Sequence, residues 1–254
     1  MTFASEGNLV TDSREVTTSE TWSTQLDWEA FQESNDIDID NGVLKLSEKT
    51  ADIIDTFEQY EPGGSAVLGD NYSGTGDAAV GTGGASEGDQ YIYNAYTEDS
   101  DEGIASSSGM GLSNYVDQGD TVEIDMLATT TQMNDIILLF AIQDVNNPFE
   151  DCYSVWIRFD NQELRIDRRQ NDSFNELSST AASIPLDEWL TGELQWGNDD
   201  SIVWTAYDST GTEIASTSTV DTTFSGTDGT VGYFFRNRSG QTDVGRVDNV
   251  IKPS

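Results

Sequence analysis

Apolar and polar residues alternate with period two along most of the chain. In "TVEIDMLA" Val122, Ile124 and Met126 share one face while Glu123 and Asp125 share the other. In "CYSVWIRF" Tyr153, Val155, Ile157 and Phe159 oppose Cys152, Ser154, Trp156 and Arg158. Side chains of a strand point alternately to its two sides, so this pattern predicts half-buried β-strands. From residue 53 onward strand follows strand, over 121–127, 136–142, 152–159, 163–168, 189–196, 201–207, 229–235 and 243–251. The turns "FDNQEL", with Asp160-Asn161, and "DSTGTE", with Gly211, each join two runs as a hairpin. The stretch "DNYSGTGDAAVGTGGASEGD", residues 70–89, reads as one long Gly-rich loop, a length that goes with function. No long helix emerges. Many short strands imply two antiparallel sheets packed face to face, because a single sheet would leave its apolar face in water. The expected class is an all-β sandwich.

The first fifty residues differ. Residues 1–20 are polar and aperiodic; Trp22, Leu26 and Ala30 could form one face of a short helix, but Trp28 and Phe31 fall off it. "NGVLKLS" reads as a strand after a turn at Asn41-Gly42. Residues 1–50 are therefore expected to be an arm that docks on a partner surface, and residues 51–254 the sandwich.

Charge changes the picture. Asp and Glu number 47 against 11 Lys and Arg, a net charge of -36 with no His. Such a balance excludes nucleic acid as a partner. It also strains a compact fold by self-repulsion, which molar salt relieves by cutting the Debye length to about 3 Å. Adaptation to concentrated salt follows, in keeping with three Lys against eight Arg and 35% hydrophobic residues. Ten Phe, nine Tyr and six Trp argue for a folded core. "MTFASEGNLVTDSREV" has no basic and apolar export pattern, and the apolar run 136–142 is too short to cross a bilayer. Cytoplasmic synthesis without a signal peptide, and no membrane insertion, are the expectations.

The absence of His removes the usual general base, zinc ligand and every His-containing triad. Cys152 is the single cysteine and reads as a packed thiol. No cofactor is required, but oxygen ligands suit Ca²⁺ in three places. These are the Gly-rich loop with Asp70, Asn71 and Asp77; the loop "QDVNNPFEDC" with Asp144, Asn146, Asn147 and Asp151; and Asp248. Asp144, Asn146, Asp151 and Asp248 are the candidate metal ligands. Arginine is clustered: Arg158, Arg165, Arg168 and Arg169 are half of the eight and fall within twelve residues. Beside Trp156, they either present planar donors to an anionic glycan or acidic partner, or neutralise carboxylates of the same sheet. Trp156 and these four arginines are the candidate ligand-binding residues. Arg236 and Arg238, beside Phe234 and Phe235, form a smaller second group.

The segments "GIASSSGMGLSNYVDQGDTVEIDMLA", "CYSVWIRFDNQELRIDRR", "LTGELQWGNDDSIVWTAYDSTGTEIAS" and "GTVGYFFRNRSGQTDVGRVDNV" together resemble the concanavalin A-like jelly roll of legume lectins, laminin G-like modules and family 16 glycoside hydrolases, over about four fifths of the chain. The resemblance implies a two-sheet jelly roll. In the hydrolases a strand carries Glu-x-Asp-x-Glu or Glu-x-Asp-x-x-Glu, with nucleophile, tuning Asp and acid/base in that order. Glu123 and Asp125 match the first two positions, but Leu127 and Ala128 stand where the acid/base would be. A retaining glycosidase needs both carboxyls, so the resemblance implies binding rather than cutting. "W…DW…F…NGVLKLS" is similar to segments preceding lectin-like domains in virion and tail proteins of salt-loving archaea. It implies a non-enzymatic tail fibre, spike or capsid turret that attaches through residues 1–50 and binds a host surface glycan or glycoprotein. Such parts are expected on the virion or extracellular surface as homo-oligomers, trimers or pentamers. The competing expectations are a family 16-like glycosidase and a purely structural decoration protein.

Overall fold

A computed structural model of the chain describes residues 36–40, 43–47, 52–58, 60, 62, 72–74, 78–95, 100–106, 116–144, 148, 150–171, 173–226 and 230–253. The chain divides into a short unit over Met1–Ala51 and a large one over Asp52–Pro253. The described part of the short unit is an antiparallel pair of β1 (Asp36–Asp40) and β2 (Val43–Ser47), with Asp40 opposite Val43; the turn expected at Asn41-Gly42 lies outside the described residues. The helix considered over residues 22–31 and the polar arm lie outside the described residues.

The large unit runs β3 (Asp52–Asp55), β4 (Tyr72–Gly74), β5 (Ala78–Thr82), β6 (Gln90–Asn94), β7 (Ser100–Ser106), β8 (Thr121–Ala128), β9 (Met133–Ile142), β10 (Cys152–Arg158), β11 (Glu163–Gln170), β12 (Ser173–Ala181), β13 (Leu190–Trp196), β14 (Ser201–Tyr207), β15 (Glu213–Val220), β16 (Thr230–Asn237) and β17 (Gly245–Lys252). Among the described residues these make two antiparallel sheets and no helix. One sheet has the order β12-β11-β10-β9-β16-β7-β4 and seven strands. The other has eight, in the order β15-β14-β13-β8-β17-β6-β5, with β3 also pairing with β17.

The alternation read from the sequence sets the two faces. Val122, Ile124 and Met126 of β8, Leu190 and Leu194 of β13, and Tyr153, Val155 and Ile157 of β10 point between the sheets and are fully buried. Aromatic rings fill the centre: Phe140, Tyr153, Trp196 and Phe224 meet at centroid distances of 4.9–6.1 Å, mostly edge to face. That geometry adds about 0.5–1.5 kcal/mol per pair to the burial itself. Trp204 lies in the same layer and donates from Nε1 to Trp156 O at 3.0 Å, so its polar atom is satisfied inside.

Two elements depart from expectation. The Gly-rich stretch is not one loop: it holds β4 and β5, because Ala78 and Val80 supply inward-facing side chains, and the loop proper shrinks to residues 83–89. Strand β12 has no apolar alternation and is an edge strand, paired on one side only among the described residues.

Gly192 of β13 faces inward against the indole of Trp204, and a Cβ there would overlap that ring. Gly192→Ala should therefore destabilise the sandwich by about 1–3 kcal/mol through overpacking. Urea unfolding in molar salt checks it, with an unchanged midpoint as the contrary outcome.

Candidate functional site

Because each strand turns one side to the core, the other side of the eight-stranded sheet displays a continuous array of polar and aromatic residues. Register fixes their order. Asp248 lies opposite Asp125, Asp125 opposite Thr191, and Thr191 opposite Tyr207. One row over, Glu123 faces Glu193 and Glu193 faces Thr205; on the other side Tyr93 faces Arg246.

Asp125 and Asp248 are joined by a loop. Ser86 Oγ lies 2.7 Å from Asp125 Oδ2 and 3.0 Å from Asp248 Oδ2, while the backbone N–H groups of Ser86 and Glu87 donate to Asp248 at 2.9 and 3.1 Å. Asn249 N donates to the other oxygen of Asp248 at 2.7 Å, and Thr191 Oγ1 donates to Asp125 Oδ1 at 2.7 Å. Asn249 itself takes a left-handed backbone, φ 45°, where the pairing of β17 shifts register after Asp248. Two further contacts hold the loop down: Glu58 Oε1 accepts from Asp89 N and Gln90 N at 2.8 Å, and Trp189 Nε1 donates to Gly84 O at 3.0 Å. The loop thus becomes a fixed wall at one end of the face.

Aromatic rings line the same end. Trp189 meets Tyr91 edge to face at 6.3 Å, Tyr93 lies 6.2 Å from Tyr91, and the Arg246 guanidinium sits 4.4 Å over the Tyr91 ring while pairing with Asp243 at 2.8 Å. Tyr91 is buried against Gly81, leaving Trp189 and Tyr93 half-exposed. At the far end, burial and the charges of Glu193, Glu213 and Glu123 raise the Tyr207 phenol, so it stays a donor.

The Glu-x-Asp pair is therefore not alone: the sheet sets Glu193 beside Glu123 and Asp248 beside Asp125. Burial pushes Asp248 up to about 6, against the lowering effect of the Glu87, Asn249 and Ser86 donors. A carboxyl with that pKa could serve as an acid, but Asp248 is 0% exposed and sealed beneath the loop. Glu123 and Glu193 are half-exposed on an open face. Each oxygen of the Asp125 and Asp248 carboxylates accepts at least one hydrogen bond from the chain, so the pair is held by the protein's own donors.

Among the described residues the other candidate ligands, Asp144 and Asp151, do not join Asp248. Asp144 is exposed after β9, Asp151 accepts from Asn171 N at 3.0 Å beside β10 of the opposite sheet, and Asn146 lies outside the described residues, as do Asp70, Asn71 and Asp77. Among the described residues no group of three or more His, Cys, Asp or Glu could hold a metal ion.

The arginines occupy the outer side of the seven-stranded sheet, except Arg168, which turns inward opposite Tyr153 and binds Asp221 at 2.6 Å and Thr223 at 2.7 Å. Arg158 pairs with Asp135 at 2.9 Å and Glu163 at 2.7 Å, Arg165 with Asp167 at 2.6 Å and Glu176 at 3.0 Å. Arg236, read from sequence as a separate group, joins them on Asp135 at 3.1 Å. Trp156 is not a surface ring: it is 2% exposed, with the guanidiniums of Arg158, Arg165 and Arg236 at 6.0, 5.3 and 5.2 Å and Phe174 against its edge. Arg169 lies 4.5 Å over the Phe174 ring. The geometry is that of arginines neutralising their own sheet. Cys152 is buried beside this cluster, and burial pushes its thiol up to about 12, so it packs rather than reacts.

A raised carboxyl has a signature in stability. Folding holds the Asp248 proton more tightly than the unfolded chain does, so its contribution is full below about pH 4 and is lost as pH rises to about 6. Relative to Asp248→Asn, the wild type should lose up to about 3 kcal/mol across that window. Unfolding at several pH values in molar salt checks this, and parallel profiles would contradict it.

No family model matches the sequence, and no curated protein matches it. Solved structures do. The carbohydrate-binding module CBM66 from Bacillus subtilis aligns with a TM-score of 0.51 at 14% identity, covering 72% of this chain and 96% of its own. Lectin II from Ulex europaeus gives 0.50 at 11% identity over 78% and 96%. The exoplasmic/lumenal domain of VIP36, in a form bound to Ca²⁺ and Man3GlcNAc, gives 0.50 at 10% identity over 73% and 84%. At such identities the likeness is one of fold: the large unit is a concanavalin A-like, legume-lectin-like jelly roll.

Proposed function

We propose that this protein is a non-enzymatic carbohydrate-binding protein that holds a hydroxyl-rich glycan on the outer face of its eight-stranded sheet. The observation that carries this reading is the combination of half-exposed Trp189 and Tyr93 with acceptors and a donor from two neighbouring rows, Glu123, Glu193 and Tyr207, beside a loop pinned by Asp125 and Asp248. Sugar rings present apolar C–H faces that stack on aromatic rings and hydroxyls that donate to carboxylates. A pre-formed site loses little entropy on binding. The solved neighbours of this fold, a carbohydrate-binding module and a lectin, support the same reading. It places the ligand away from the arginine hairpin, where Trp156 and its guanidiniums are already engaged with one another and with carboxylates.

The wider setting we infer is a salt-adapted particle or appendage, a virion tail or turret component, that attaches through residues 1–50 and presents the jelly roll to a host surface. The net charge of -36 and the likeness of the first fifty residues to virion-associated segments support it.

Hydrolysis is the competing reading, favoured by the Glu123–Glu193 cross-strand pair, which sets two carboxyl side chains next to each other on the open face. One experiment separates the two. Purified protein is incubated in molar salt with host cells and with a panel of neutral and acidic polysaccharides, and both retention and released reducing ends are measured. Retention without release is expected, and Trp189→Ala with Tyr93→Ala should weaken it at least tenfold, about 1.4 kcal/mol. Sugar release abolished by Glu123→Gln would establish an enzyme instead, and retention lost only in Arg165→Ala would move the site to the hairpin.

A further inference from the structure

Among the described residues both sheets end on the same side of the sandwich, each in a strand paired on one side only. β12 closes the seven-stranded sheet and β15 the eight-stranded one, and the two strands touch where Ser178 Oγ and Thr217 Oγ1 share a hydrogen bond of 2.8 Å. An open edge presents backbone N–H and C=O groups to any strand that arrives, and soluble proteins commonly guard it with charged side chains or proline.

That guard is missing here. β12 reads SFNELSSTA, and its single charge, Glu176, is neutralised by Arg165 at 3.0 Å. β15 reads EIASTSTV, with its only charge at the first residue. After the register shift near that residue, positions 215–220 pair regularly with β14 and carry no charge at all. Most of both strands is exposed or half-exposed, so burial does not explain their neutrality. Elsewhere this chain puts acids on its surface, to a net charge of -36.

Apolar exposure falls in the same place. Among the described residues the exposed large hydrophobic side chains are Phe174, 40%, and Val220, 66%, and they belong to β12 and β15. They sit at the same end of the two strands: Arg168, paired opposite Asn175, reaches Asp221, the residue after Val220.

We propose that this side is where two copies of the chain join, β15 of one pairing antiparallel with β15 of the other. A second copy fits better than a charged partner would. Two chains of the same strong negative charge can approach only where neither carries it, and the uncharged edges are such a place. A strand paired antiparallel with its own copy also satisfies two-fold symmetry, each residue meeting its mate's counterpart. Thr and Val in the regular stretch suit strand pairing. Screening by concentrated salt lowers the remaining long-range repulsion.

The test is the mass of the full chain, 27.8 kDa, by light scattering in molar and in dilute salt. A dimer in molar salt is expected, with dissociation favoured on dilution of the salt. Ser218→Asp with Val220→Asp, both at exposed positions, should raise the dimer dissociation constant at least tenfold, whereas Thr131→Asp, exposed in the β8–β9 turn, should not. Circular dichroism verifies that the double variant is folded, and each single substitution repeats the test if it is not. A monomer in molar salt, a trimer or pentamer, or a dimer indifferent to both acids would overturn the proposal.

Discussion

Stability in this chain depends on the apolar layer between two sheets, and everything functional is arranged on what that layer leaves outside. With 35% hydrophobic residues the chain has few to waste, and the structure commits them to one side of each strand. Full burial of a large side chain is worth about 1.5–3 kcal/mol, so rings such as Trp196, Tyr153 and Phe140 account for a large part of the stabilisation. Period-two geometry then dictates that residues such as Glu123 and Asp125 must face outward. The acidic surface is the other half of the same constraint. A core held by dispersion and exclusion of water tolerates concentrated salt, and salt screens repulsion among surface carboxylates.

The two outer faces resolve their charges differently. On the seven-stranded side the carboxylates of Asp135 and Asp167, both 0% exposed, are matched by guanidiniums from three strands, and Trp156 is enclosed among them. Burial still raises both acids, against the arginines beside them, which means these pairs are maintained at a desolvation cost. On the eight-stranded side the acids are matched mostly by N–H and O–H donors from a loop. Glu123 and Glu193 stand half-exposed on the open part of that face, with no arginine paired opposite them in the sheet. On the proposed reading, such a face suits neutral, hydroxyl-rich ligands better than uronic or sulfated ones.

Most of the fold was legible in the sequence, and the part that was not has a physical reason. β8, β10, β13 and β14 alternate cleanly because one side of each is fully buried, and the pattern locates them to within about two residues. β12 escaped because a Ser- and Thr-rich edge strand buries too little to write an apolar period. β5 was hidden among glycines that serve the loop after it. The site shows the same divide. That Glu123 and Asp125 share a face is a local fact, fixed by spacing. That Asp248 and Ser86 complete the network depends on β17 pairing with β8 and on a loop more than a hundred and sixty residues from Asp248 in the chain, a relation no local pattern encodes. The arginine hairpin was visible as a cluster, but its partners Asp135 and Asp221 are remote in sequence, so composition alone left its role open.

The geometry of edge pairing bears on what a weak binding face could accomplish. A two-fold axis normal to the eight-stranded sheet continues that sheet into the second copy and turns both outer faces to the same side. Single sugar sites on open sheet faces are shallow, and their affinity is limited by the small area they cover. Two such faces held rigidly in one plane convert the second contact into an intramolecular event, raising avidity by orders of magnitude on a surface that repeats its glycans. In the proposed dimer, an uncharged edge and a polar, aromatic-bordered face would be parts of one arrangement, in which the place where like-charged chains meet also decides how they meet a surface.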